Sequence, residues 1–394
     1  MLPSLSISQP HGRRSQGDGH APAWSGALDA AREVAAGAAE RAPEADRPGG
    51  FPDDDVQALR EARLLVAPLR PADGGVGLGS ERGSLHALLT VLRTVGRGSL
   101  PLGRLYEGHV NALLLIDQYA TDAQRQRWAA DAQEGHLFGV WNTEVPSDGV
   151  RYARDGDAVR VEGAKTFATG CAHVTRPLVP GALGDGWQMA VLPTDQFETV
   201  DQPETWRAEG MRASMSGRVD FSGAVLGADV LVGAPGDYLR EPEFTGGSVR
   251  FAAVQLGGAD ALAHAMAEHL RQLNRTDHPT QRIRAGEVAT LVETGALWLL
   301  GASRLLDPPA GTPDPAAVRA YAQMARTAIE HVCLGVMERA DRAVGARGLG
   351  QPGVLERVGR DLRLYLRQPN PDGAVEAAGA YAFDHPGGAV GSAL

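Results

Sequence analysis

Residues 138–150 read FGVWNTEVPSDGV, and residues 158–172 read AVRVEGAKTFATGCA. β-Branched and aromatic residues dominate the start of the first segment, and apolar and polar residues alternate through the second. This period of two predicts a pair of β-strands. Glycine and aspartate residues before, between and within the segments predict the turns that bound them. The strands open a β region that separates two helical regions of the chain.

Two threonines stand late in these predicted strands, each beside a large ring. Thr143 follows Trp141, and Thr169 follows Phe167. Such a pair suits a flat heteroaromatic ligand, because a ring can pack against its face while a hydroxyl donates or accepts a hydrogen bond at its edge. An ordinary strand with threonines on its solvent face explains the same residues. The stretch alone therefore leaves both interpretations open.

The chain before the strands has a helical pattern. Apolar residues recur at helical spacing from residue 24 to residue 133, which predicts an all-α unit. The segment 68–79, PLRPADGGVGLG, is glycine-rich, but it lacks the strand and the GK[ST] ending of a phosphate-binding loop, so a plain loop is favoured. The segment 108–119 places His109 at the predicted polar start of an apolar helix.

The chain after residue 136 has first a β pattern and then a helical one. Turn residues recur every eight to twelve positions up to residue 231, which predicts a small barrel or sandwich. Long amphipathic helices with short connections then predict an antiparallel bundle, with helices over 249–273, 279–306, 315–344 and 354–366. We predict an α+β protein with these parts: a mobile tail (1–23), an N-terminal helical domain (24–135), a central β-domain (136–238), a C-terminal four-helix bundle (239–383) and a second mobile tail (384–394).

Composition excludes several classes of partner. The net charge of -10 argues against nucleic acid and anionic membranes. No apolar run approaches the length of a membrane span, and the first residues do not resemble a signal peptide. The two cysteines, Cys171 and Cys333, cannot make a disulfide framework, and Cys171 with His173 is too few ligands for a metal site. We therefore expect a cytoplasmic protein without a bound metal.

Five motifs in order resemble the acyl-CoA dehydrogenase family over residues 24–381. They are Asn142-Thr143-Glu144 for an LTE-type strand, Gly163 to Thr169 for a GxKxWIT strand, Gly210-Met211-Arg212 with Ser216 for a GMRxTxS segment, residues 252–262 for the first bundle helix, and Arg360-Asp361 near the end. The resemblance implies an enzyme of fatty acid metabolism that binds FAD between the β-domain and the bundle. Members oxidise acyl-CoA thioesters, commonly as tetramers.

The resemblance also assigns residues to the cofactor. Thr143 would hydrogen-bond the pyrimidine edge of the flavin, and Thr169 would approach its N5 atom. Phe167 would replace the usual tryptophan beside the ring, with Trp141 close to it. Fixed dipoles at these positions would stabilise the negative charge of reduced flavin. Arg275 matches an arginine that binds the FAD diphosphate of a neighbouring subunit through its planar guanidinium, although an arginine at a helix C-terminus also has a structural explanation.

The catalytic base of the family is missing from its usual positions. A dehydrogenase needs a carboxylate to remove the C2 proton while hydride leaves C3. Most members place a glutamate after the RD segment, where this chain has Pro369. The isovaleryl-CoA dehydrogenase type places it directly before an arginine, which Arg250 matches as a substrate-binding residue, but here Val249 precedes it. A shortened loop at 145–148 also weakens the assignment of thioester and diphosphate contacts to Ser147.

Further departures place the chain in a divergent branch of the family. The RxxFG segment is replaced at 275–279, and the bundle glutamine that meets a partner's FAD is replaced near Arg342. The ending YLRQPNPD resembles a branch that includes flavin monooxygenases similar to dibenzothiophene monooxygenase. These enzymes use reduced flavin and dioxygen and need no C2 base.

Three hypotheses remain at this point. The first is an FAD-dependent oxidation of an acyl thioester with a displaced base, for which Glu241, Glu243 and Asp372 are the nearest acids, although solvated loop carboxylates explain them as well. The second is a flavin monooxygenase, with His109 as the residue to watch as a proton donor, although a polar or capping group explains it too. The third is a non-catalytic paralogue that keeps the fold.

The bundle offers a prediction about assembly. Residues 298–300 and the apolar stripe at 322–336 present more apolar helix surface than a three-helix core needs. We therefore expect a homodimer or homotetramer formed through the bundle, as the resemblance also implies.

Overall fold

A computed structural model describes residues 22–308, 314–350, 352–368 and 370–386. The two predicted tails fall almost wholly outside these ranges, and so does Pro369. The described residues form an N-terminal helical domain, a central β-domain and a C-terminal helical domain. The predicted α+β architecture is therefore confirmed.

Five helices build the N-terminal domain: α1 (Ala27–Ala45), α2 (Asp53–Glu61), α3 (Leu85–Gly98), α4 (Leu100–Tyr119) and α5 (Asp122–Gln133). Ser99 caps α4, because its hydroxyl accepts a hydrogen bond from the Leu102 amide at 3.3 Å. Thr121 and Gln124 form a reciprocal capping box at the start of α5. Helix α4 is long and buried, and it contacts the β-domain and the C-terminal domain.

The central domain contains ten short strands: β1 (Phe138–Val140), β2 (Arg151–Asp155), β3 (Ala158–Glu162), β4 (Ala164–Ala168), β5 (Arg176–Leu183), β6 (Gly186–Val191), β7 (Val200–Gln202), β8 (Gly217–Asp220), β9 (Ala224–Gly227) and β10 (Leu231–Val232). One sheet has the order β10-β6-β5-β2-β3-β9, with β1 added parallel to β5. A second sheet has the order β4-β8-β7. The second sheet includes Phe167 in β4, and Thr169 directly follows that strand.

The described part of the C-terminal domain contains six helices: α6 (Glu243–Gly246), α7 (Ser248–Gln272), α8 (Pro279–Leu306), α9 (Pro315–Gly348), α10 (Val354–Tyr365) and α11 (Pro371–Asp384). Helix α7 packs against α3, α8, α9 and α10, and α11 packs against α9. The four predicted long helices are present, and α11 adds a further layer to the predicted four-helix bundle.

Glycines allow the three domains to approach closely around α7 and α10. A Cβ on Gly257 would lie 2.2 Å from the Arg93 carbonyl oxygen, so α3 and α7 cross backbone to backbone. A Cβ on Gly210 would lie 2.2 Å from the Arg360 carbonyl oxygen, which joins the β-domain to α10. These contacts hold the motif segment 210–216 against the helical domains.

The apolar stripe predicted to drive assembly is used within the chain. Ile329, Val332 and Val336 of α9 are buried, and the Trp298 ring packs on the Tyr321 ring with centroids 5.2 Å apart. The exposed apolar residues of the bundle include Leu334 of this stripe, at 43%, and Ile283 outside it, at 64%. Helix α9 therefore turns most of the predicted stripe towards its own domain, and assembly through the bundle stays a prediction. Among the helices of the described ranges, none has the length and apolar character that a membrane crossing requires.

Candidate functional site

Thr169 directly follows β4 and is hydrogen-bonded to Trp141, which belongs to the segment 138–150. Its side chain is buried at 8% exposure, and its Oγ1 lies 3.0 Å from Ser216 Oγ. Its carbonyl oxygen accepts a hydrogen bond of 2.8 Å from the indole N–H of Trp141. The residue that the motif assigns to the flavin is thus held by both its backbone and its side chain.

Trp141 supports this threonine from inside the protein. The ring is only 2% exposed and packs beside Phe221, with ring centroids 6.1 Å apart. We predicted that Trp141 would contact the cofactor, but its ring presents little surface. The burial arises because β1 ends at Val140 and directs Trp141 into the core.

A row of hydroxyl groups continues from Thr169 into the β-domain. Ser216 Oγ lies 2.8 Å from Ser214 Oγ, and the Ser214 hydroxyl donates to the Met211 carbonyl oxygen at 2.8 Å. Ser214 belongs to a short 3₁₀ turn flanked by Met211 and Met215, which both have positive φ angles, of 53° and 42°. Non-glycine residues adopt that conformation rarely, and strained backbone concentrates at functional sites. The motif segment therefore forms a defined polar turn.

Phe167 is turned away from the core next to this row. Its φ angle is 53°, the β4–β8 register shifts between Lys165 and Ala168, and the side chain is 60% exposed. The ring of Trp206 meets it edge-on, with centroids 5.9 Å apart. A large exposed ring beside a buried hydroxyl offers both contacts that a flat, polar-edged ligand needs.

Thr143 lies in an irregular segment after β1. Its side chain is exposed, and its carbonyl oxygen accepts a hydrogen bond of 2.8 Å from the Thr166 amide. The neighbouring Glu144 carboxylate forms an ion pair with Lys165, and the Lys165 ammonium also donates to the Asn142 carbonyl oxygen at 3.1 Å. The segment therefore takes its shape from a buried lysine, and not from a strand ladder as predicted.

Arg250, which the sequence analysis assigned to the substrate, belongs to a polar cluster that we define as Arg104, Glu107, Asn111 and Arg250. The other three residues were missed by sequence reasoning. Glu107 is 1% exposed and its carboxylate accepts hydrogen bonds from Arg104 and from the Asn111 amide. The Nε of Arg250 donates to the Asn111 side-chain oxygen. Arg104, Glu107 and Asn111 lie three and four positions apart on α4, and this helical spacing was the signal that could have revealed them.

Two tyrosines border the polar cluster. The Tyr365 hydroxyl interacts electrostatically with Arg104 and Glu107, and burial raises its pKa well above the usual value. That hydroxyl has no hydrogen-bond partner of normal geometry among the residues that the structure describes. Tyr238 also interacts electrostatically with Arg104 and Glu107. Buried polar groups without partners are uncommon and are explained by bound water, ions or ligands.

Arg250 carries a positive charge into this interior. Burial lowers the pKa of its guanidinium, and the Glu107 carboxylate opposes that shift. No hydrogen bond from its terminal nitrogens is made to the described residues. Two guanidinium groups and one carboxylate leave the polar cluster with one excess positive charge, because arginine stays protonated in proteins.

Gly108 relates the polar cluster to the threonine segment. A Cβ on this residue would lie 3.9 Å from the Gly139 Cα and from the Val140 amide nitrogen, so the same face of α4 meets the end of β1. The chain continues from there through Trp141 to Thr143. The polar cluster and Trp141, which supports Thr169, therefore lie on adjoining parts of the interior.

His109 does not fit the role considered for it. The helix begins at Leu100, so His109 lies in the middle of α4 and is fully buried. Its Nε2 lies 2.7 Å from the Leu65 carbonyl oxygen, and its Nδ1 accepts the Phe138 amide at 3.1 Å. Burial lowers its pKa to about 4. His109 is a structural residue, because both ring nitrogens are used by the backbone.

The acidic candidates differ in their surroundings. Both carboxylate oxygens of Glu241 bind Thr245, at 2.6 Å to the hydroxyl and 3.2 Å to the amide, so Glu241 caps the start of α6. Glu243 has a buried Oε2 without a hydrogen-bond partner among the described residues, and it interacts with Tyr119. Asp372 is exposed in the first turn of α11. Glu243 is thus the one of these three whose carboxylate is both buried and incompletely paired.

The remaining predicted residues are on the surface. Arg275 follows the end of α7 and is exposed, as is Ser147 in the loop after Thr143. Arg342 is 67% exposed and pairs with Glu338 at 2.7 Å. Their predicted roles toward a diphosphate or a thioester stay predictions.

Two family models match the chain. The N-terminal domain of acyl-CoA dehydrogenase matches residues 27–136, and the C-terminal domain of acyl-CoA dehydrogenase matches residues 249–366. The chain belongs to the acyl-CoA dehydrogenase family. The resemblance recognised in the five motifs is therefore confirmed.

Relatives within the family have different activities. The putative acyl-CoA dehydrogenase YdbM of Bacillus subtilis (strain 168) is 25% identical over 358 residues, which cover 85% of this chain and 91% of the relative. A dibenzothiophene monooxygenase of Mycolicibacterium goodii is 25% identical over 272 residues, which cover 63% and 62%. The crystal structure of FMN-bound TdsC from Paenibacillus sp. A11-2 has a TM-score of 0.82 at 22% identity, over 91% of this chain and 97% of that one. This structural likeness establishes a shared fold.

Proposed function

We propose that this family member is a flavin-dependent monooxygenase that oxidises a small polar substrate with dioxygen and reduced flavin. The observation that carries the proposal is the lack of a carboxylate at either position of the family's base. Val249 is apolar and 1% exposed at the start of α7, and Pro369 has no acidic group. Removal of a C2 proton needs a base within hydrogen-bond reach. Oxygen transfer to a substrate does not.

The relatives support the monooxygenase proposal. One curated relative is a dibenzothiophene monooxygenase, and TdsC, a dibenzothiophene monooxygenase with the same fold, binds FMN. YdbM, which matches over 85% of this chain, is only a putative dehydrogenase. Fold alone does not define the reaction, so the residues of the site have to decide.

The surroundings of Thr169 fit a flavin ring. Phe167 offers an exposed aromatic face, and the hydroxyls of Thr143 and Thr169 can bind polar atoms at the ring's edges. A bound reduced flavin would supply the two electrons for the activation of dioxygen. The protein's part would be to hold the ring with these residues and to exclude bulk water from it.

We propose that the site binds FMN and FAD with equal affinity. The contacts that favour flavin lie at its ring, which FMN and FAD share. Isothermal titration with FMN, FAD and riboflavin would test this. Equal affinity for FMN and FAD is expected, and affinity at least tenfold greater for FAD would contradict it.

The polar cluster would bind the substrate's polar group. Its excess positive charge favours an anion such as a carboxylate or a sulfinate. Arg250 is the group with free terminal N–H donors, and Glu107 and Asn111 hold it in place. A charge-assisted hydrogen bond in a buried site orients a ligand strongly.

The first experiment tests the flavin-loaded protein for oxygen transfer to a substrate and for oxidation of an acyl thioester. Under air, with reduced FMN regenerated by a separate reductase, we expect substrate-dependent oxygen consumption and an oxygenated product by mass spectrometry. Small carboxylates, sulfinates and aromatic sulfides form the substrate panel, and catalase controls for uncoupled peroxide. Without dioxygen, a panel of acyl-CoA thioesters should leave the flavin absorption unchanged. Rapid bleaching by a thioester would overturn the monooxygenase proposal.

Arg250→Met tests the substrate role of the polar cluster. Loss of a charged hydrogen bond of about 1.5–3 kcal/mol should weaken the binding of an anionic substrate by roughly 10- to 100-fold. Flavin binding should not change. Arg342→Met is the matched control, because Arg342 is an exposed arginine on α9. Equal effects of the two substitutions would remove Arg250 from the site.

A second candidate is oxidation of an acyl thioester with Glu243 as the displaced base, as the first sequence hypothesis requires. The buried, unpaired Oε2 of Glu243 favours it. Thioester bleaching of the flavin that is lost in Glu243→Gln but kept in Glu241→Gln would support this candidate. Bleaching that survives Glu243→Gln would exclude Glu243.

Cytoplasmic location and assembly as a homodimer or homotetramer remain part of the proposal. The exposed apolar side chains of the bundle, such as Ile283, are consistent with an interface there. Light scattering at micromolar concentration should give a mass of two or four chains. A monomer mass would contradict the proposed assembly.

A further inference from the structure

The hydroxyl row at Thr169 has a defined proton direction. Each hydroxyl has one hydrogen to donate, whereas a carbonyl oxygen can only accept. Ser214 donates to the Met211 carbonyl oxygen at 2.8 Å, so its oxygen must accept in the 2.8 Å contact with Ser216. Ser216 therefore donates to Ser214 and must accept from Thr169 at 3.0 Å. The proton of Thr169 consequently points inward along the row.

The turn that begins the row is rigid. The Met211 carbonyl oxygen also accepts from the Trp206 indole at 2.9 Å, and the Met211 amide donates to the Asp361 carboxylate at 2.5 Å. The Ser214 carbonyl oxygen accepts from the Gly170 amide at 2.9 Å. These bonds tie the turn to α10 and to the residue after Thr169. The carbonyl that sets the direction therefore cannot rotate away without breaking them.

Burial keeps solvent from reversing the row. Ser214 is 1% exposed, Ser216 is 7% exposed and Thr169 is 8% exposed. Breaking the row would leave buried hydroxyls unpaired, at about 1–3 kcal/mol for each group. Thr169 can then offer an outside ligand only the lone pairs of its oxygen.

We propose that Ser214 and Ser216 make Thr169 an obligate hydrogen-bond acceptor and thereby select reduced over oxidised flavin. The inference rests on the proposed function, in which Thr169 faces flavin N5. Reduced flavin carries a hydrogen on N5 and donates there, whereas oxidised flavin has only a lone pair at N5. An acceptor-only threonine bonds with the reduced form and repels the oxidised one. The serines are positioning residues, since they act through Thr169.

The measurement is the ratio of the dissociation constants of oxidised and reduced FMN, taken without dioxygen. The wild-type protein should bind reduced FMN more tightly by about tenfold or more, the factor that a hydrogen bond of roughly 1.4 kcal/mol gives. Each tenfold in this ratio raises the two-electron midpoint potential of the bound flavin by about 30 mV. Spectroelectrochemistry therefore provides an independent reading of the same quantity.

Two variants free the Thr169 hydroxyl hydrogen from its bond to Ser216, so that it can be donated elsewhere. Ser216→Ala removes its acceptor, and Ser214→Ala lets Ser216 reverse, so in both the threonine can donate to oxidised flavin. The ratio should fall by about tenfold in each. Thr169→Ser keeps the hydroxyl and should keep the ratio, whereas Thr169→Val should abolish the preference. Ser222→Ala is the control, because Ser222 binds the Gly163 amide at 3.0 Å outside the row.

The outcomes separate this inference from the function on which it rests. If Thr169→Val changes the ratio but neither serine variant does, the proton direction is wrong and the flavin assignment stands. If Thr169→Val also leaves both affinities unchanged, the assignment of Thr169 to flavin N5 fails. Equal wild-type affinities for the two forms would overturn the inference directly. Thermal melts of all variants would show that each is folded.

Discussion

Lys165→Met tests whether a buried ion pair shapes the flavin edge. Lys165 is the only lysine of the chain, and its side chain is 0% exposed. Its ammonium pairs with Glu144, donates to the Asn142 carbonyl oxygen at 3.1 Å and lies 5.0 Å from the centre of the Trp187 ring. Methionine fills a similar volume without the charge. The substitution therefore leaves the Glu144 carboxylate and the Asn142 carbonyl without this donor.

The expected loss follows from the position of the pair. Removing one partner of a buried ion pair costs about 3–5 kcal/mol, because the other charge remains buried. The Glu144 side chain is 20% exposed, and its carboxylate also accepts from the Val150 amide at 3.1 Å, so water and backbone compensate in part. We therefore expect a loss near the lower limit, about 3 kcal/mol in the free energy of unfolding. Flavin affinity should fall too, because Thr143 lies between Asn142 and Glu144.

Urea unfolding, followed by far-UV circular dichroism, measures the loss. Adding Glu144→Gln to Lys165→Met should recover part of the stability, because no unpaired charge is left. Arg154→Met, an exposed cation of β2, is the control and should change stability by less than about 0.5 kcal/mol. A Lys165→Met protein within 1 kcal/mol of wild type, with unchanged flavin affinity, would refute the reasoning.

Further predictions concern pH and backbone contacts. Burial lowers the pKa of His109 to about 4, so the unfolded state binds more protons than the folded state between pH 4 and about pH 6.5. The wild-type protein should therefore lose stability as pH falls through that window. His109→Phe should not show this loss in urea unfolding. Burial raises the pKa of Asp361 to about 6, so its contribution is lost as pH rises from about 4 to 6; urea unfolding of Asp361→Asn at several pH values should show no such decline. Gly210→Ala should lower the melting temperature, because its Cβ would meet the Arg360 carbonyl at 2.2 Å, whereas Gly286→Ala, with open space around it, should not.

The secondary structure of the bundle was largely predictable from the sequence. The helical period and the N-terminal proline predicted a helix over 279–306, and α8 has these bounds. The segment predicted over 354–366 differs from α10 by one residue. Helix patterns are local, because an apolar face recurs every three to four residues whatever the partner is. The order of domains followed from the same patterns.

The candidate site was predictable only in part. The motifs singled out Thr143, Phe167 and Thr169, and the structure shows how the chain holds each of them. The motifs did not predict that Trp141 is buried, or that Arg104 and Glu107 form an internal polar cluster with residues of α7. These features depend on which side of a helix or strand meets another domain. The face of a helix or strand that meets another domain is set by long-range packing, which cannot be predicted from local patterns in one sequence.

His109 shows the same division most clearly. From the sequence it stands at the polar start of an apolar segment, where an accessible proton donor is reasonable. In the fold, α4 begins nine residues earlier, and two backbone groups from distant segments occupy both ring nitrogens. The order of helices, strands and domains could be predicted from the sequence, because local patterns depend on neighbouring residues. The tertiary structure alone decided which polar groups are buried, paired or left available for chemistry, because burial and pairing depend on segments far apart in the chain.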